Sequence, residues 1–202
     1  LVLPGDLIYK DQNGDGVIND YDSRPIGYAE GGLPYMTYGL NLACSYKGFD
    51  IAIDFAGAAL QSFQRNWETK WPFQAGNTFN YMVEDRWHHE DPLDPSTPWV
   101  SGNYPALRPQ SVNAWHVYCN NSTYWLTNAA YFRMKNLEIG YTIPQKITQK
   151  IAMQKFRVFF NGTNLFSIDN TSKFGLDPEN SDTNGLGYPM VRVLTFGATI
   201  TF

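Results

Sequence analysis

The sharpest chemical pattern in the sequence is the run Asp11-Gln12-Asn13-Gly14-Asp15-Gly16-Val17-Ile18-Asn19-Asp20-Tyr21-Asp22. Asp11, Asn13 and Asp15 supply oxygen side chains at loop positions one, three and five. Gly16 supplies the tight turn, Val17 a backbone carbonyl, and Asn19 and Asp22 further oxygens. Such spacing wraps hard oxygen ligands around Ca²⁺. The run departs from an EF-hand in ending on Asp rather than Glu, and Ser23-Arg24-Pro25 does not start a helix. It reads as a structural calcium loop, with an Asx-rich turn held by side-chain to backbone bonds as the alternative. A second concentration lies further on. All six tryptophans (Trp67, Trp71, Trp87, Trp99, Trp115, Trp125) and all three histidines fall between residues 67 and 125. Aromatic faces stack on sugar rings, so Trp67, Trp71, Trp87, Trp99 and Trp115 are candidate contacts for a solute or a lid protein. The competing reading is that a long connection buries its own small core, which tryptophan does well. His88-His89-Glu90-Asp91 lacks a third ligand at a defensible spacing for a metal. No nucleophile elbow, zinc-protease motif, phosphate loop or paired carboxylates stand out, so no enzyme is read here.

The elements that must position these residues are strands. The chain has 202 residues, 16% of them aromatic, and a net charge of −4, which argues against nucleic-acid binding. From Leu194, apolar Leu194, Phe196, Ala198, Ile200 and Phe202 alternate with Thr195, Gly197, Thr199 and Thr201. Alternation of this kind puts one apolar and one polar face on a strand. Six strands are expected: roughly 6–10, 35–46, 49–57, 130–143, 156–168 and the terminal one. Lys47-Gly48 makes a hairpin of the second and third. Pro144 ends the fourth, and a phase shift near Phe132 and Met134 calls for a bulge or for emergence from a bilayer. Asp50, Asp54 and Glu138 fall on polar faces, where solvation is the expectation. Tyr35, Tyr46 and Tyr141 fall near strand ends, as interface aromatics do. Cys44 and Cys119 permit at most one bridge and are expected to be unpaired. Leu1 to Asp6 has no signal-peptide features, and the chain reads as a mature product or an excised piece.

Short and long connections alternate. Lys47-Gly48 and 145–155 are short, whereas 11–34, 58–129 and 169–187 are long. An outer-membrane barrel has short periplasmic turns and long extracellular loops. With Phe202 periplasmic, the three long segments are extracellular.

Several segments, in order, resemble the carboxyl-terminal region of SusC/RagA-type TonB-linked outer-membrane transporters. They are Gly5 to Asp20, Tyr38-Gly39-Leu40-Asn41-Leu42, Tyr46 to Asp50, Phe132 to Pro144, Asn164-Leu165-Phe166, Leu176-Asp177-Pro178-Glu179 and the Phe202 ending. The resemblance implies an all-β fold, an antiparallel transmembrane β-barrel segment that supplies about six strands of a barrel of about 22. Residues 1–202 would be the carboxyl-terminal part of one barrel domain without its plug, with 58–129 a long extracellular loop. It also implies a TonB-dependent importer of oligosaccharides, or of peptides, working with a SusD-like surface lipoprotein in the outer membrane, and Phe202 as the assembly signal. The alternative is a secreted calcium-stabilised β-sandwich that binds carbohydrate, with apolar faces meeting across a core.

Overall fold

A computed structural model describes residues 2–28, 33–109, 115–180, 182–188 and 190–202. It separates into two compact units. Unit 2 comprises 33–61, 129–170 and 188–202, and unit 1 comprises 1–32, 62–128 and 171–187.

Unit 2 is one antiparallel sheet. Its strands are β1 (Met36–Tyr46), β2 (Phe49–Ala59), β7 (Tyr131–Thr142), β8 (Lys155–Thr163), β9 (Ser167–Asp169) and β10 (Val193–Thr201). The order is β1-β2-β7-β8-β10, with β9 beside the start of β7. Lys47 and Gly48 both adopt positive φ, at 48° and 90°, and close the β1–β2 hairpin as a primed two-residue turn. The four expected strands 35–46, 49–57, 130–143 and the terminal one are present within two residues at each end, and β1 and β2 each run for 11 residues. Strands of this length span a bilayer when tilted.

The expected bulge lies at Lys135. Asp54 faces Asn136 and Phe55 faces Met134, so Lys135 is the extra residue of β7 in the register. The expected strand 156–168 is broken at Asn164, which takes φ 52°, and resumes as β9 against Tyr131–Arg133. Asn164 N–H donates to the Lys135 carbonyl, so both irregularities fall at one place.

The expected first strand, 6–10, is corrected: these residues are in no ladder, and they belong to unit 1. Their partners are side chains. The Asp6 carboxylate, almost wholly buried, takes Arg108, His116 Nε2 at 2.9 Å and the Leu3 N–H at 2.7 Å. At Gly5 (φ 84°) the Trp87 ring occupies the place of a Cβ.

The described residues of the expected loop 58–129 belong to unit 1 from residue 62 to 128 and bury a small core of their own, as the competing reading of its tryptophans has it. Unit 1 contains β3 (Ser62–Gln64) paired with β6 (Leu126–Asn128), and β4 (His88–His89) paired with β5 (Trp99–Val100). It also holds two short helices, α1 (Asn80–Glu84) and α2 (Trp115–Tyr118). Its core is Trp71, Met82, Tyr104, Val117, Tyr118 and Trp125. Unit 2 adds one further helix, α3 (Gln145–Thr148), between β7 and β8.

Candidate functional site

Register fixes the two faces of the unit 2 sheet. One carries Leu40 and Leu42 of β1, Phe49, Ile51, Ile53 and Phe55 of β2, and Tyr141, Ile139, Leu137 and Met134 of β7. It continues through Val158 and Phe160 of β8 to Ala198 and Phe196 of β10. The face is apolar and uncovered: Leu42 is 50% exposed and Phe196 79%. Tyr46 and Phe49 stand exposed at its turn end, and Phe49 packs on Tyr141 with ring centroids 4.4 Å apart. An exposed apolar surface of this breadth is a liability in water and a requirement in lipid. It overturns the sandwich alternative, whose apolar faces would be buried.

The opposite face is polar and internally bonded. Arg157 of β8 reaches across β7 to β2. Its Nε donates to Asp50 at 3.0 Å, and Nη2 donates to Asp50 and, at 2.6 Å, to Glu138. Gly140 lies beneath this bridge. A Cβ there would come within 2.3 Å of Arg157 Nη2 and of an Asp50 oxygen. Asn41 Nδ2 donates to Asp54 at 2.6 Å. The expectation of merely solvated carboxylates is corrected: they tie strands together. Sequence reasoning passed over Arg157 and Gly140, because only the β2–β7–β8 register brings them to Asp50.

In unit 1, the calcium-type loop is drawn around its own carboxylates. Asp11 accepts from the N–H groups of Gly14 at 2.6 Å and Gly16 at 2.8 Å. Asp22 accepts from Gln12 at 2.7 Å and Asn19 at 2.8 Å. These backbone donors hold the Asp22 carboxyl below the usual carboxylate range. Asp15 takes the Val17 N–H at 2.8 Å, and Asn19 caps a 3₁₀ turn at Asp20–Asp22 through the Tyr21 N–H. These are the side-chain to backbone bonds of an Asx-rich turn, and among the described residues no group of three or more His, Cys, Asp or Glu is placed to hold a metal ion.

The aromatic candidates divide. Trp71 is 5% exposed, packed on Tyr118 at 4.9 Å between centroids, which leaves it no face for a solute and corrects its reading as a contact. Trp125 is fully buried, its indole N–H donating to the Val117 carbonyl at 3.0 Å. Trp87 is half-buried against Gly5. Trp99 stacks on His89 at 4.1 Å between centroids, and Trp67 is 46% exposed. The Trp115 side chain lies outside the described residues. His88 and His89 spend Nδ1 on backbone carbonyls, of His89 at 2.6 Å and of Thr97 at 2.7 Å.

Arg65 and Lys70 lie against the aromatic core of unit 1. Arg65 stacks against Tyr124, Trp125 and Phe174, with Phe174 closest at 4.1 Å to the centroid. Lys70, 3% exposed, donates to the Asn120 carbonyl at 3.1 Å. Burial lowers its ammonium to about 8. The core phenols donate to carbonyls, Tyr104 to Lys70 at 2.6 Å and Tyr124 to Asn103 at 2.5 Å. Burial pushes Tyr124 up to about 12 and Tyr104 further. Cys44 and Cys119 are both free.

The chain is similar to two curated proteins of Formosa agariphila named TonB-dependent receptor P3 and TonB-dependent receptor P26. Each is 28% identical over 212 aligned positions, which cover 98% of this chain. The chain spans about a fifth of their length, 19% and 20%. Among solved structures it is similar to the RagAB peptide importer in its closed-closed state, with TM-score 0.60, 24% identity, and coverage of 86% of this chain and 18% of that one. In the open-open state of the same importer the TM-score is 0.55, at 23% identity, with 84% of this chain and 17% of that chain covered. No family model matches. The resemblance carried by the ordered motifs therefore holds along nearly the whole chain, and the fold is the antiparallel β-sheet of that barrel family.

Proposed function

We propose that this chain, similar throughout to TonB-dependent receptors, is part of the barrel wall of an outer-membrane active importer. The observation that carries this reading is the two-faced sheet of unit 2. Its apolar face continues unbroken over five strands, and its polar face is tied by Arg157. In a barrel the first face meets lipid and the second the lumen. The turns at Lys47-Gly48 and 144–154 would be periplasmic, with the Phe202 end and its assembly signal, and the segments 11–34, 58–129 and 169–187 would be extracellular. Energy would come from TonB acting on parts of the receptor outside these residues.

The solute we propose is an oligosaccharide, delivered under a SusD-like surface lipoprotein. Exposed Trp67 and half-buried Trp87 and Trp99 supply aromatic faces suited to sugar rings. A peptide is the second reading, favoured by the likeness in fold to a peptide importer. We further propose that Asp11, Asn13, Asp15, Asn19 and Asp22, with the Val17 carbonyl, hold a structural Ca²⁺. The ion would stiffen the loop, and the protein's part is to aim the oxygens.

The test is an immunoblot of source-cell membranes, boiled and unboiled. A heat-modifiable membrane band several times heavier than 23.0 kDa is expected, and a soluble band near 23.0 kDa would sink the reading. Uptake of labelled oligosaccharides and of labelled peptides, with and without the gene, separates the two solutes.

A further inference from the structure

The turn between β7 and β8 has a chemistry that a solvent-exposed connection does not need. From Thr142 to Phe156 the sequence holds Lys146, Lys150 and Lys155 and no carboxylate, and Lys47 stands in the neighbouring turn. Residues 145–151 form two consecutive helical turns, α3 and a 3₁₀ turn at Gln149–Ile151. Ala152, at φ 57°, ends them. Ile147 and Ile151 are nevertheless 56% and 60% exposed. Helical spacing stacks Ile147 with Ile151 on one flank and Lys146 with Lys150 on the next. Buried Thr148 points inward. Gln145, on the flank opposite Ile147, lines a cavity with Lys47, Thr142, Ile143, Lys155 and Thr201. The exposed Ile147 and Ile151 are not among the residues that line it. Lys47 holds its ammonium 5.1 Å from the centroid of the Tyr46 ring. Tyr46, Phe49 and Tyr141 line the apolar face just beside it.

We propose that this end of the sheet docks on anionic phospholipid headgroups, with Ile147 and Ile151 inserted at the acyl boundary and Lys47, Lys146 and Lys150 on the phosphates. The inference rests on the barrel reading and names the leaflet chemistry at one rim of it. Charge complementarity and continuity with the aromatic row favour lipid over a protein partner. A short amphipathic helix with lysines beside its apolar flank is suited to lie in a membrane interface. Lys155 is excluded, since its register places it on the polar face.

The experiment uses the full-length receptor in vesicles of phosphatidylcholine containing phosphatidylglycerol, spin-labelled at Ile151→Cys or, separately, Ile147→Cys, in a background freed of native cysteines. Phe196→Cys is the control in mid-face. Labels at 147 or 151 should be more accessible to oxygen than to an aqueous nickel complex, as at 196. Spin-labelled phosphatidylglycerol should be preferred several-fold over phosphatidylcholine, and Lys47→Gln with Lys146→Gln and Lys150→Gln should bring the two near parity. Water-exposed labels at 147 and 151 with a lipid-exposed label at 196 overturn the docking and leave the barrel standing. A water-exposed label at 196 overturns the barrel reading itself. Unchanged lipid preference in the triple variant overturns the role of the lysines.

Discussion

At the residue scale, charge and hydrogen bonding decide the outcomes. Asp15 accepts from Val17 and is bonded by Asn13 Nδ2 at 3.0 Å, in the middle of the candidate cation loop. With Asp15→Ala, the rise in melting temperature that Ca²⁺ confers on the full-length receptor should vanish; equal melting of the wild type with Ca²⁺ and with chelator would remove the ion from the account. Lys70 gives a pH signature. Its folded-state value, lowered from 10.5 to about 8 by burial, lies below its unfolded one. Below about 8 both states carry the proton and the full cost of the buried charge is present. Between about 8 and 10.5 the unfolded state binds more protons, so stability rises with pH. Above about 10 the unfolded tyrosines ionise while Tyr104 and Tyr118 stay protonated, which reverses the slope. Lys70→Met should therefore stabilise unit 1 at pH 7, by about 2 kcal/mol, and flatten the rise between pH 8 and 9.5 in tryptophan-monitored denaturation. His88 and His89 invite a metal in the sequence, but their backbone hydrogen bonds are visible only once Thr97 and Trp99 are seen beside them.

At the element scale, register is what the sequence leaves open. The alternation in 35–46, 49–57 and 194–202 is legible because one apolar face repeats every second residue. The Lys47-Gly48 turn is legible because positive φ at both positions suits it. The run 6–10 misleads because a short segment held through Asp6 by Arg108 and His116 has the same composition as a strand. The Arg157 bridge depends on β7–β8 pairing, which places Arg157 opposite Thr142 and one pleat from Gly140. Gly140→Val should push the guanidinium off Asp50 and lower the temperature at which heat-modifiable migration is lost. Asp50→Asn, which leaves Glu138 in place, should lower it less. The reverse order would mean that the glycine serves something other than the bridge. In unit 1, Trp71→Ala would open the core between Met82 and Tyr118. Loss of about 3–5 kcal/mol is expected in denaturation followed by tryptophan fluorescence, and an unchanged midpoint would show that Trp71 is not packed as described.

At the scale of the whole molecule, the exposed apolar face has a depth-dependent consequence. Leu42 lies mid-strand on that face and Asn41 on the polar one. Leu42→Arg should destabilise the folded barrel by about 2–4 kcal/mol in lipid, whereas Asn41→Arg should cost far less. Equal costs measured in vesicles would deny the lipid-facing assignment. The sequence by itself determined the strands with strict alternation, the tight hairpin, the two-sidedness of the sheet and the ordered motifs of the receptor family. Periodicity and turn chemistry are local, and one chain segment is enough to express them. The tertiary structure alone decided which tryptophans the core within 62–128 takes in, Trp71 and Trp125. It also decided that Asp6 holds an arginine and a histidine, and that Arg157 spans three strands. Those outcomes join residues up to about a hundred positions apart, as Asp6 to Arg108 and Asp50 to Arg157 do. Long-range pairing follows from burial and register, which no local pattern contains.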